Sequence, residues 1–204
     1  MGNYILGHFL IWLPFVLSLV VVILIIIRRI LRNSNYSKTI KLGFLTHQKL
    51  ICIWSIFIIL FNLFLSWLQY YVWSSSPLSR LFLPPTQPIS YFIGYIYIHL
   101  WQAVLLSLVV AAVFYGFLRL VRFYNQEAVS LEEAALISLA CLLVGWPKLL
   151  ILIPLFFLLS IFSSIVNLFI FKNKKIDIFW PLIISLLLAL SGGNYLIYFF
   201  MFVV

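Results

Sequence analysis

Four carboxylates are the only acids in the chain: Glu127, Glu132, Glu133 and Asp177. A hydrolase of the aspartyl type needs two carboxyls that share one proton and activate a water between them. Glu132 and Glu133 do not make such a pair by adjacency, because neighbouring helical residues diverge by about 100°. Glu133 with Asp177 is the pairing that topology permits. Glu133 also has a structural reading. Ser130-Leu131-Glu132-Glu133 fits the S-x-x-E capping box ahead of an apolar run, with Ser130 accepting from the backbone N–H of residue 133 and Glu133 accepting from that of Ser130.

The three histidines, His8, His47 and His99, fall in separate regions, and Cys52 and Cys141 each sit inside an apolar run. No CxxC or Cys/His spacing is present, so no metal and no cofactor is expected. Both cysteines read as small buried hydrophobes. His99 lies one turn from Gln102 and reads as a buried hydrogen-bonding residue between helices, as do Asn167, Ser160, Ser163 and Ser164 further on. No serine stands in a nucleophile-elbow context and no glycine-rich phosphate loop occurs.

The elements that hold these residues are set by composition. Of 204 residues, 66% are hydrophobic and 8% charged, against about 45–50% and about 25% in soluble domains. Lipid must solvate much of the exterior, and there the backbone has to satisfy its own hydrogen bonds. Long continuous apolar runs, rather than alternating ten-residue ones, select helices over a barrel. The expected fold is an all-α polytopic membrane protein of about six spans: 4–27, 50–73, 89–118, 131–146, 149–171 and 178–204. The fourth is short, and Pro147 and Lys148 break it. Gly192-Gly193 interrupts the sixth, as a helix break, a close packing point or the end of a shorter span. The first run is expected to be retained, since its positive residues follow it rather than precede it.

The net charge of +9 belongs to the membrane and not to nucleic acid. Arg28, Arg29, Arg32, Lys38, Lys41 and Lys49 occupy the first loop, Arg119 and Arg122 the third, and Lys172, Lys174 and Lys175 the fifth. Only Arg80 and Lys148 lie in the even loops. The positive-inside rule then places the odd loops in the cytoplasm and both termini outside, in the cell (inner) membrane. Trp67, Tyr70, Tyr71, Trp73, Tyr91, Tyr95 and Tyr97 are expected to form an outer interfacial belt.

From about residue 93 to 190 the chain resembles the membrane domain of type IV prepilin peptidases and preflagellin peptidases, which are intramembrane aspartyl proteases. The family's G-x-G-D motif opens a short helix ending in Gly-Trp. Glu132 to Trp146 has the same length and ends in Gly145-Trp146. Phe117 to Tyr124 is similar to the end of the family's preceding helix, and Asp177 to Leu182 keeps Phe179 and Pro181 of the segment that follows its basic turn. The likeness implies a division into an N-terminal hairpin region, 1–90, and a peptidase-like bundle, 91–204. It aligns G-x-G-D with Ser130-Leu131-Glu132-Glu133, so Glu133 takes the place of a catalytic aspartate while both glycines are lost. The loop 28–49, where the family carries its other aspartate, has no acid, and neither does Leu83-Pro84-Pro85. The resemblance therefore implies a non-catalytic relative, a pseudoenzyme acting as a scaffold for pilin-like or other membrane helices. The alternatives are an endopeptidase using Glu133 unconventionally, and a small transporter or channel subunit with a polar cavity at His99, Gln102 and Asn167.

Overall fold

The computed structural model describes the backbone of residues 2–33, 47–126, 129–171 and 178–203, and side chains over 12–30, 47–126, 129–169, 178–195 and 197. Glu127, Asp177, His8, Arg32, Lys38, Lys41, Lys172, Lys174 and Lys175 lie outside the described side chains. Among the described residues all regular structure is helical. The elements are α1 (Gly2–Asn33), α2 (His47–Ser75), α3 (Ile89–Ile96), α4 (Gln102–Tyr124), α5 (Leu131–Val144), α6 (Leu149–Val166) and α7 (Phe179–Val203). A π turn at Tyr97–Trp101 joins α3 to α4 without a break, and another, Asn167–Phe171, follows α6. Four helical stretches are long and apolar enough to cross a membrane: Trp12–Ile30, His47–Ser75, Ile89–Tyr124 and Leu149–Phe169. Phe179–Tyr195 is apolar but shorter. The chain is thus an all-helical protein of polytopic membrane type.

Two compact units form, one from residues 1–46 and 151–204, the other from His47–Leu150. In the first, α7 buries Phe179, Leu182, Ile183, Leu186, Ala189 and Leu190, the three-and-four spacing of one helix face. The Arg29 guanidinium near the end of α1 lies 5.2 Å from the centre of the Phe179 ring, a cation–π contact at the start of α7. Residues 192–193 neither break nor end that helix, which runs on to Val203, and a side chain at Gly192 would meet nothing within 4 Å. On α6, Ser164 Oγ donates to the Ser160 carbonyl at 2.6 Å, whereas the Ser160 hydroxyl is buried without a hydrogen-bond partner among the described residues, so neither makes the interhelical bond expected of it.

In the second unit α2 runs antiparallel to the α3–α4 rod, and paired contacts mark the register. Gln48 Nε2 donates to Tyr115 Oη at 3.3 Å, Trp101 Nε1 to Ser66 Oγ at 3.1 Å, and Trp73 meets Tyr95 in a tilted ring contact with centres 4.8 Å apart. The last contact belongs to a core in which Trp73 and Tyr95 pack on Leu83, Phe92 and Ile96. Part of the expected aromatic belt is therefore packing, whereas Trp67 and Tyr71 remain exposed as a belt requires.

Helix α5 packs against both α2 and α4. Eleven of its 14 residues, Ala134 to Val144, are buried, so its apolar surface surrounds the helix instead of forming a stripe, as in a helix enclosed by protein. Its length corresponds to a rise of about 21 Å, short of the roughly 30 Å hydrocarbon core. The break comes at Gly145, before the expected Pro147, with φ 70 and ψ 167, a region open essentially to glycine alone. The next backbone N–H, of Trp146, donates to Ser107 Oγ at 2.7 Å, and Ser107 Oγ donates to the Ala103 carbonyl at 2.7 Å. Ser107 lies about 27 Å along the roughly 54 Å rod of Ile89–Tyr124. The end of α5 is therefore pinned halfway along its neighbour.

Gly145→Ala should lower stability by about 1–3 kcal/mol through backbone strain. Ser107→Ala should lower it by about 1–3 kcal/mol by stranding the Trp146 N–H. Both exceed the average of about 0.6 kcal/mol for side-chain hydrogen bonds between membrane helices. Thermal unfolding in detergent measures both, and melting points equal to wild type would refute the pinned turn.

Candidate functional site

Two places in the second unit bring polar groups together: the start of α5, and a groove that α5 floors.

At the start of α5, Ser130 has extended backbone (φ −78, ψ 156) and forms the N-cap. Its backbone N–H donates to Glu133 Oε2 at 2.7 Å, and the Glu133 N–H donates to Ser130 Oγ at 3.2 Å. The reciprocal capping box thus forms as the spacing predicts. Two of the four N–H groups that a helix start leaves open are covered by side chains, and Glu132 and Glu133 place negative charge where the helix dipole favours it. Glu133 therefore has a structural partner through one carboxylate oxygen.

The groove was not singled out in the sequence. Its α2 wall is Gln48, Ile51, Cys52 and Ser55. Its α4 wall is Leu108, Ala111, Ala112 and Tyr115. Ser138 and Leu142 of α5 form the floor, and the partly open groove has a volume of about 490 Å³. That lies within the range of about 300–1,000 Å³ typical of small-molecule sites. The spacing in each wall is three or four residues, so each wall is one helix face. The signal was there to find: small or polar residues recur at Gln48, Cys52 and Ser55 and at Ala111 and Ala112, within runs otherwise built of large hydrophobes. The lining is mainly apolar, and the hydroxyl of Ser138 is turned onto the Ala134 carbonyl at 3.0 Å. The Gln48–Tyr115 hydrogen bond bridges the walls at the end where α2 begins.

The remaining candidates do not converge. Cys141 is buried as expected, but Cys52 is exposed and belongs to the groove wall, because the small residues facing it leave it uncovered. His99 is exposed and meets the Tyr95 ring in a tilted contact with ring centres 4.3 Å apart. Gln102 is also exposed. The buried interhelical role expected for His99 gives way to a surface ring contact, and neither residue lines the groove. Among the described residues no three His, Cys, Asp or Glu side chains could hold one metal ion. Comparison with protein-family models, curated proteins and solved structures returns no match.

Ser130→Ala should cost about 0.5–2 kcal/mol of stability. Glu133→Gln should stay close to wild type, because glutamine also serves at the third position of a capping box, whereas Glu133→Ala should resemble Ser130→Ala. Detergent melting curves compare the three, and a Gln variant as unstable as the Ala variant would contradict this account of Glu133.

Proposed function

We propose that this protein is a non-catalytic member of the prepilin-peptidase-like membrane proteins, which binds or organises pilin-like or other membrane helices in the cytoplasmic membrane. The observation that carries the reading is the Glu133 carboxylate, held by the Ser130 backbone N–H at 2.7 Å. A shared-proton dyad needs a second carboxyl beside the first, and Glu132, adjacent on the helix, diverges from Glu133 by about 100°. The end of the second unit that carries Lys49, Arg119 and Arg122 faces the cytoplasm in this reading, by the positive-inside rule. Lipid is the solvent of the bundle, and nucleic acid has no soluble basic domain to bind. The transporter alternative is weakened by the exposed positions of His99 and Gln102.

Co-expression with a single-span prepilin-like substrate tests the proposal. The expected outcome is an uncut substrate that co-purifies in mild detergent with wild type and with Glu133→Gln alike. Cleavage by wild type that Glu133→Gln abolishes would establish the endopeptidase instead. Absence of any retained membrane helix would remove the scaffold.

A further inference from the structure

We infer that the groove between α2, α4 and α5 is a lipid site that holds one acyl chain of an anionic phospholipid, with the headgroup at the Lys49–Arg119–Arg122 end. The inference concerns a surface separate from Glu133 and does not depend on the scaffold reading.

Three observations combine. The first is the shape. A groove of about 490 Å³, partly open along its length, lies between two mainly apolar walls. The Gln48–Tyr115 bridge, 3.3 Å across, joins the two walls at one end, where a body about 10 Å across such as a helix would have to part them. A polymethylene chain is narrow enough to lie along the walls between them.

The second is the polarity gradient along the walls. On α4 the groove face runs Leu108, Ala111, Ala112 and Tyr115, and the same face continues at Arg119 and Arg122, four and seven residues past Tyr115. On α2 the groove starts at Gln48, and Lys49 is in the same first turn. Glu132 and Glu133 open α5 at the same end, Glu133 held by the Ser130 N–H, and the three cations outnumber these two carboxylates. Apolar wall, then amide and phenol, then a net cationic end is the order of an anionic lipid read from chain to headgroup. Cations near an anionic headgroup attract it, and basic pockets between membrane helices on the cytoplasmic side bind such headgroups.

The third is the source of the space. Ala111, Ala112, Ser55 and Ser138 are the small residues that keep the walls apart and the floor low. Ser138 has 1% of its surface exposed and spends its hydroxyl on its own helix, so the floor presents little unmet polarity to a hydrocarbon chain.

Delipidated full-length protein, titrated with phosphatidylglycerol or phosphatidylcholine of matched chains and read by native mass spectrometry, tests the site. The expected result is one phosphatidylglycerol bound well before any phosphatidylcholine. Ala112→Phe and Ser55→Phe, which fill the groove from opposite walls, should each abolish that first binding event. Arg119→Gln and Arg122→Gln should each reduce the preference for the anionic lipid roughly five-fold and leave phosphatidylcholine binding unchanged. On the unmutated chain, maleimide labelling of Cys52 should slow when phosphatidylglycerol is added and not when phosphatidylcholine is. Equal affinity for the two lipids, unchanged binding in both filled variants, unchanged Cys52 labelling, or a second copy of the chain released by the filling substitutions would each overturn the inference.

Discussion

A backbone N–H in hydrocarbon has no water to turn to, so each interruption of a helix has to be matched by an acceptor brought from elsewhere. The interruption between α5 and α6 illustrates the rule. Gly145 leaves the helical region of backbone space, and the Trp146 N–H, which a continuing helix would direct to the carbonyl four residues back, goes to Ser107 Oγ at 2.7 Å. Ser107 is itself oriented by the Ala103 carbonyl and is 4% exposed. One hydroxyl thus fixes where α5 stops along α4. That stopping point sets the height of Ser138 and Leu142, the floor of the groove.

The same economy governs the other polar side chains. Asn62, buried in α2, donates from Nδ2 to the Ile58 carbonyl at 2.9 Å. Ser66 donates to the Asn62 carbonyl at 2.8 Å and accepts from Trp101. Thr86 bonds the carbonyls of Leu81 and Leu83 in the turn-rich connection. Most hydroxyls therefore reinforce their own segment, and a few, Ser66 and Ser107 among them, also join two segments. The outcome is a unit whose polar groups hold helices at set depths, while packing of large side chains such as Trp73, Phe92 and Ile96 does the bulk of the joining.

The helical class was legible because it follows from apolar run length, a property of the chain alone, whereas helix ends were only roughly so: α1 runs to Asn33 rather than residue 27 and α4 to Tyr124 rather than residue 118. The start of α5 was legible for a related reason: a capping box is local, and Ser130 and Glu133 carry its whole signal. The end of α5 was only half legible. Gly145 was visible, but Pro147 drew attention as the breaker, and the acceptor on α4, 39 residues away, leaves no mark in the spacing. Tyr95 and Trp73 misled because an interfacial aromatic and a packed one look alike until their neighbours are known. The groove was legible only as small-residue stripes on single helices; the site itself exists where the faces of three helices meet, which no one stripe specifies.

The two candidate places on α5 are separable for a geometric reason. Ser138 and Leu142 are four residues apart and share the groove face. Glu133 precedes Ser138 by five residues, which at about 100° each turns it some 140° away from that face. The position one turn above Glu133 is Ile137, which is buried and does not line the groove. A substitution at the capping box therefore acts on how α5 begins, and a substitution at the groove acts on what lies against its side. Glu133, given to a capping bond, secures the start of the helix it opens. The value of that helix to the molecule then lies in the surface it floors and in the depth at which Ser107 holds it.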